Sequence, residues 1–362
     1  MSRIFIPVNI LYDSYIYALQ KTGGINRYFT EIIAGLPPSF HPFLFKKVEE
    51  NIFAPHHPKL KNLWIPNSLR FSNALLALRM RSIDLIHPTY YHLCQPLLWE
   101  NIPGKVVITV HDFTIARFAQ RYSRSAKLIK DQTAAIKRAD YIICVSHATR
   151  DDLLERFPEC EMRSSVIPLA SSLTLPNELM RNPFEKRYFL YIGARTFYKN
   201  FILTLHAFAV LQKKYADLQL VVAGPPWSDD EKQLIKELGI FDSLNIVEYP
   251  DDLQLGALYR NAVALFYPSE HEGFGLPPLE AMKMGVPVIA LKTSSLPEVV
   301  GEGGILIDPE HVSPSVLAEA AESLLNSESL WHHFSCEGLK QASKFSWEKT
   351  VQQTLNVYSK LM

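Results

Sequence analysis

Two glutamates, Glu272 and Glu280, flank the run Gly273-Phe274-Gly275-Leu276-Pro277-Pro278-Leu279, with seven residues between them. Ionised carboxylates accept hydrogen bonds from a hydroxyl-rich ligand. Gly273 and Gly275 lack a Cβ, so a ligand can come close to the backbone N–H groups. Pro277 and Pro278 suit the first turn of a helix, where a missing N–H is no loss. The loop therefore opens a helix, and oriented N–H groups there favour anions and sugar oxygens. Arg195 and Lys199 stand four residues apart in Gly193-Ala194-Arg195-Thr196-Phe197-Tyr198-Lys199-Asn200. A planar guanidinium fork and a mobile ammonium suit a diphosphate. His111-Asp112 closes the apolar run from Lys105 to Val110, and Gly23-Gly24 precedes another helical pattern. Each feature also has a plain structural reading: a common crossover, solvated loop charges, turn glycines and a structural histidine.

These residues need strands and helices to hold them. The apolar run from Val263 to Tyr267 reads as a buried parallel strand before the Glu272 loop, and Val286 to Leu291 as the strand after its helix, a βαβ unit. The same alternation runs through both halves of the chain. Ile4 to Ile10, Lys105 to Val110, Ala139 to Val145 and Val166 to Pro168 are strands of a first half. Ile25, Phe29, Ile32, Ile33 and Leu36 recur at helical spacing until Pro37-Pro38. Ser146 caps a helix after the Ala139 strand. Arg187 to Ile192, Leu218 to Ala223 and Asn245 to Glu248 are strands of a second half, with Gly224 and Tyr249 at two strand ends. The fold expected is α/β, with two parallel-sheet domains facing a cleft. The first covers residues 1–172 and the second 173–345, with the richest linker composition at 171–185. Ser346 caps a last helix over 346–362. A helix is also expected from Leu69 to Met80, and His56-His57 reads as a solvated loop pair, since no third ligand lies at metal-binding spacing.

Composition narrows the classes. A chain of 362 residues with 48% hydrophobic and 20% charged residues suits two folded domains and excludes wholesale disorder. A net charge of zero gives no case for nucleic acid as a partner. Four scattered cysteines, with no CxxC pair, point to a reducing compartment, so a cytoplasmic location is expected. No apolar run approaches the ~20 residues that cross a bilayer. Basic residues crowd the stretch from Arg117 to Arg138, and Arg117, Arg121 and Arg124 fall on one helical face. Such a face is either solvated or a contact for anionic lipid at the inner side of the cytoplasmic membrane.

Glu-Gly-Phe-Gly-Leu-Pro, followed by Leu-Glu-Ala-Met and Gly-Val-Pro-Val-Ile, resembles the donor-site signature of retaining glycosyltransferases of family 4, which have the GT-B fold of two Rossmann-like domains. Thr293 to Val300 and Gly303 to Pro309 match the family in type and order, so the likeness covers the second half and is weaker in the first. The resemblance implies a nucleotide diphosphate sugar donor. Lys199, Arg195, the helix after Gly275 and the Gly23-Gly24 turn would hold the diphosphate, although many members carry the arginine elsewhere in the loop. Glu272 and the amides of Gly273, Phe274 and Gly275 would hold the donor sugar, Glu280 the ribose, and His111 the sugar near the reacting carbon. The strand ends at Gly224 and Tyr249 would wall the nucleobase. The last helix would cross back to the first domain.

Gly-Gly-Ile-x-Arg-Tyr and Tyr-Lys-Asn-Phe look like bacterial mannosyltransferases of O-antigen assembly. The function expected is therefore transfer of mannose from GDP-mannose, with retention, to a glycan or lipid-linked acceptor of a cell-surface polysaccharide. A UDP-hexose or dTDP-rhamnose donor is the alternative. No Asp-x-Asp cluster closes a strand, so neither metal ion nor cofactor is expected. A second reading is a GT-B phosphorylase, sugar-nucleotide hydrolase or epimerase. A phosphorylase would need a further phosphate site or a cofactor lysine, which the sequence does not present. Release of free sugar without acceptor would favour the hydrolase. A catalytically silent scaffold would be expected to lack Glu272, Glu280, Lys199 or His111, and all four are present.

Overall fold

The computed structural model describes residues 7–20, 23–46, 61–64, 81–92, 99, 102, 104–123, 125–173, 184 and 186–362. Contacts divide the chain into two compact units. One comprises residues 1–169 with 346–362, the other 170–345. The expected helix at Leu69 to Met80, the His56-His57 pair and most of the 171–185 linker lie outside the described residues.

In the first unit seven parallel strands form one sheet. They are β1 (Val8–Asp13), β2 (Phe40–Lys46), β3 (Lys61–Trp64), β4 (Leu85–Ile86), β5 (Lys105–Val110), β6 (Tyr141–Cys144) and β7 (Ser164–Val166), in the order β3-β2-β1-β4-β5-β6-β7. Ile4 to Ile6 of the expected first strand lie outside the described residues, and β1 runs on past Ile10 to Asp13, with Leu11 and Tyr12 fully buried. Helices α1 (Tyr15–Leu19), α2 (Gly24–Gly35), α3 (Thr114–Arg117), α4 (Ser125–Arg138) and α5 (His147–Arg156) connect them among the described residues. The Ser146 hydroxyl accepts from the Thr149 amide and caps α5. Leu11, Ile86, Ile108, Val110, Ile142 and Leu153 form the heart of one core. Strands covered on both faces have no reason to alternate, which is why they read as continuous apolar runs.

The second unit holds six parallel strands: β8 (Tyr188–Ile192), β9 (Gln219–Gly224), β10 (Leu244–Glu248), β11 (Leu265–Tyr267), β12 (Val288–Leu291) and β13 (Gly304–Ile307). Their order is β10-β9-β8-β11-β12-β13. Helices α6 (Phe201–Gln212), α7 (Asp229–Leu238), α8 (Asp252–Arg260), α9 (Leu276–Lys283), α10 (Leu296–Val300), α11 (Pro314–Asn326) and α12 (Glu328–Ala342) complete it. Phe189, Tyr191, Leu220, Val222, Phe266 and Ile289 meet at its centre. Gly304 is forced by the sheet, since a Cβ there would lie 2.1 Å from the Val288 carbonyl oxygen. In both sheets the winding direction reverses beside the first strand, between β1 and β4 and between β8 and β11. That reversal is the switch point where open α/β sheets bind ligands, at the carboxyl ends of the strands.

The last helix, α13 (Trp347–Leu361), belongs to the first unit and is capped by Ser346. Tyr358 carries it into a buried polar chain. Its hydroxyl lies 3.0 Å from that of Tyr12 and 2.6 Å from His87 Nδ1. His87 Nε2 lies 2.8 Å from Thr109 Oγ1, which in turn lies 3.0 Å from the Tyr28 hydroxyl.

The expected basic helix is not continuous. Helix α3 stops at Arg117, a short 3-10 turn holds Ala119–Arg121, and extended Tyr122 separates them from α4. Arg117 and Arg121 therefore lie on different elements, and Arg124 lies outside the described residues. Arg117 and Arg121 do not sit on one continuous helix. No helix among the described residues is long and apolar enough to cross a membrane.

Candidate functional site

The switch point of the second unit brings together the loops after β8 and β11. Lys199 lies in the first loop, on a 3-10 turn ended by Asn200, whose φ of 50° is the left-handed conformation asparagine tolerates better than most residues. Asn200 Nδ2 donates to the Pro268 carbonyl at 3.0 Å, and the Glu270 amide donates to the Tyr198 carbonyl at 2.7 Å. These two bonds stitch the loops together. Lys199 Nζ then donates to Glu272 Oε1 at 2.7 Å and to the Tyr267 hydroxyl at 3.2 Å. An ammonium has three donors, so two are committed here and a third remains for a ligand oxygen.

The Lys199 and Glu272 side chains are only 15% and 13% exposed. Burial alone would lower the Lys199 pKa, but the facing Glu272 carboxylate and the phenols of Tyr267 and Tyr198 reverse that and hold it well above the usual lysine value. Burial, reinforced by Glu272, raises Tyr267 well above a normal phenol. The site is thus an ammonium and a carboxylate within one low-dielectric corner, walled by neutral tyrosines.

The Glu272 loop is fixed from behind by residues whose part was not evident from their own stretch. The Glu272 amide donates to Ser294 Oγ at 2.8 Å, and Thr293 Oγ1 donates to the Ser269 carbonyl at 2.8 Å. Ser295 Oγ lies 2.9 Å from the Glu272 carbonyl and 2.8 Å from that of Phe274, so one proton bridges both sides of Gly273. Three hydroxyls in a row at a strand end, Thr293-Ser294-Ser295, are the signal the sequence offers for this support. Phe274 is buried and packs edge-on against Phe345, with centroids 5.6 Å apart. Gly275 caps α9 at φ 102°, and a Cβ there would lie 3.1 Å from Leu296 Cδ2. Because Pro277 and Pro278 carry no N–H, this helix start offers a ligand the amides of Gly275 and Leu276 at most. Glu280, one turn into α9, is 7% exposed and accepts from the Tyr259 hydroxyl at 2.8 Å.

Arg195 is engaged elsewhere. Its Nε donates to Glu231 Oε1 at 2.5 Å and Nη2 to Glu231 Oε2 at 2.9 Å. Nη1 and Nη2 donate to the Pro225 and Pro226 carbonyls at 2.8 Å each. Four of its five N–H donors are therefore engaged. The guanidinium also lies 4.9 Å from the Trp227 ring centroid, and the side chain is 4% exposed. In this structure Arg195 clamps the turn that follows Gly224 rather than facing Lys199. Beside that turn the Tyr249 amide donates to the Gly224 carbonyl at 3.3 Å. Tyr249 is 70% exposed and adopts φ 47°, a strained conformation for an aromatic residue.

In the first unit, Gly23 precedes α2 with no side-chain cap, leaving its first amides to other partners. Tyr28, on the buried face of α2, meets the His111 ring edge to face at 5.4 Å. His111 is 8% exposed, its amide donates to the Tyr91 hydroxyl at 3.2 Å, and its Nε2 has no hydrogen-bond partner among the described residues. Burial lowers its pKa to about 3, so the imidazole is neutral near pH 7. The next residue, Asp112, accepts from the Thr114 amide at 2.8 Å.

Residues 180–341 match the family described as glycosyl transferases group 1, and residues 22–170 match glycosyltransferase family 4. The chain is 32% identical over 272 residues to the O-antigen chain mannosyltransferase B of Escherichia coli, a match covering 71% of each. It is 26% identical over 281 residues to the serotype-specific mannosyltransferase WbdA of Escherichia coli; the match covers 73% of this chain and 34% of that one. Its structure aligns with that of Anabaena HepE in complex with UDP-glucose at a TM-score of 0.75 and 17% identity, covering 98% of this chain and 100% of the other. Two doubly wound parallel sheets of this kind define the GT-B class of glycosyltransferases. The chain belongs to glycosyltransferase family 4.

Proposed function

We propose that this glycosyltransferase moves mannose from GDP-mannose, with the anomeric configuration retained and without a metal ion, to a glycan or lipid-linked acceptor in cell-surface polysaccharide synthesis. The observation that carries the donor site is the Lys199–Glu272 pair at the switch point of the second sheet. The third donor of Lys199 takes the leaving diphosphate, helped by the Gly275 and Leu276 amides, and stabilises the charge that grows as the glycosidic bond breaks. Glu272, held by its own loop, accepts from donor-sugar hydroxyls, with the amides of Gly273, Phe274 and Gly275 beside it. Glu280, oriented by Tyr259, takes the ribose. Tyr249 and Gly224 flank the nucleobase, on a turn that Arg195 fixes. From the first domain, His111 meets the sugar as a neutral imidazole and the Gly23-Gly24 turn offers amides to phosphate. The names of the curated relatives support mannose as the sugar and an O-antigen-type glycan as the product.

Melting shifts against GDP, UDP and dTDP, followed by proton NMR of the product formed in EDTA, test the proposal. GDP should stabilise the protein most, and the product should be the α-mannoside. Stabilisation by UDP alone, a β-linked product or dependence on added metal would overturn the corresponding part.

A further inference from the structure

We infer that the small hollow beside His111 is a subsite for the terminal sugar ring of a neutral acceptor glycan. Tyr90, Tyr91, His111, Asp112, Leu128 and Gln132 line it among the described residues. The inference rests on the transferase reading and deepens it by naming the chemistry of the acceptor.

The hollow pairs aromatic faces with polar groups, the combination a pyranose requires. The Tyr90 and Tyr91 rings lie 4.7 Å apart at 43°, and Tyr15 stacks on Tyr90 at 6.0 Å and 8°. A ring braced in this way offers an apolar surface for sugar C–H groups at little entropic cost. Opposite polar demands come from the adjoining strand end. His111 Nε2 is buried with no partner among the described residues, an arrangement that is costly unless a ligand satisfies it. A hydroxyl can either donate to this nitrogen or accept from it. The Asp112 carboxylate accepts from hydroxyl donors, and Gln132, whose Nε2 donates to the Asp112 carbonyl at 2.9 Å, fixes that residue's backbone.

The same lining argues against a phosphate. Among the described residues it carries one carboxylate and no lysine or arginine, and the imidazole stays uncharged at neutral pH because burial depresses its pKa. An anion would face Asp112 without compensation. Leu128 and Ile115 bound the hollow, so a longer glycan would have to extend outside it. The reacting hydroxyl of an acceptor seated here would lie next to the imidazole assigned to the donor sugar.

Saturation-transfer NMR on the full chain with the methyl α-glycosides of mannose, glucose and rhamnose tests the inference. At least one glycoside should receive saturation from the wild type, and Leu128→Trp, which fills the hollow, should abolish it. Tyr90→Ala, in case the filled variant does not fold, should raise the acceptor KM at least tenfold. Failure of all three glycosides to bind, undiminished transfer in folded Leu128→Trp, or binding of a short-chain prenyl phosphate in their place would overturn it. A wild type that binds a glycoside but shows no melting shift with any nucleotide would instead refute the donor reading and leave the subsite standing.

Discussion

Lys199 and Glu272 have to be understood as a pair, because each is too buried to stand alone. Lys199→Ala should lower kcat/KM by roughly 10- to 100-fold, the worth of one charge-assisted hydrogen bond of about 1.5–3 kcal/mol to the leaving diphosphate. It should also lower the melting temperature, since removing one member of a buried pair leaves the other charge uncompensated. The two effects separate in the double variant. Adding Glu272→Gln should recover the melting temperature and leave turnover low, as read by calorimetry and a donor-consumption assay. Both residues were legible from the sequence because their signals are local: a carboxylate before Gly-Phe-Gly and an ammonium before a helix. Arg195 was not. Its partner Glu231 lies 36 positions along the chain, and type and spacing within a loop do not tell which distant oxygen a guanidinium will meet.

The strands were the readiest elements to recognise. Fully covered parallel strands leave apolar runs such as Tyr188–Ile192, whose five residues are all buried. Helix continuity was harder: Arg117 to Arg138 has helical composition throughout, but Phe118 and Tyr122 leave helical geometry and split it. The least legible element was the support behind the Glu272 loop, 22 to 24 positions away, where three hydroxyls hold carbonyl and amide groups of another turn. Ser295 is fully buried and serves two carbonyls. Ser295→Ala should therefore leave buried acceptors unsatisfied at a cost of about 1–3 kcal/mol. The donor KM should rise while the second domain still folds, checked by initial rates and a melting curve. Gly275→Ala acts on the same loop through the backbone. An alanine at φ 102° is strained and meets Leu296, so it should impair donor binding more than Gly256→Ala, where a Cβ has open space in α8.

At the scale of the molecule, protons act on one domain in particular. Burial pushes the pKa of His87 down to about 3, with His111 adding to the effect, and burial alone does the same for His111. Both histidines lie in the unit of residues 1–169 and 346–362. An unfolded histidine binds its proton near pH 6.5, whereas the native ones do not until about pH 3. Stability therefore rises with pH across that window and falls on acidification, by up to ~1.4 kcal/mol per pH unit for each group. Hydrogen exchange along α13 should accelerate between pH 6.5 and 4.5, since Tyr358 ties that helix to His87. The course of the chain has a further consequence, for the order in which the protein is made. The polypeptide leaves the first unit near residue 169, builds the whole second unit, and returns at residue 346. On a ribosome the second domain can close as soon as Phe345 has emerged, whereas the earlier-made half must wait for Tyr358 to fill its interior. A nascent chain arrested after Phe345 should thus show a protease-resistant second domain beside a cleavable first one, and supplying residues 346–362 as a peptide should restore protection. The domain begun first is the one finished last.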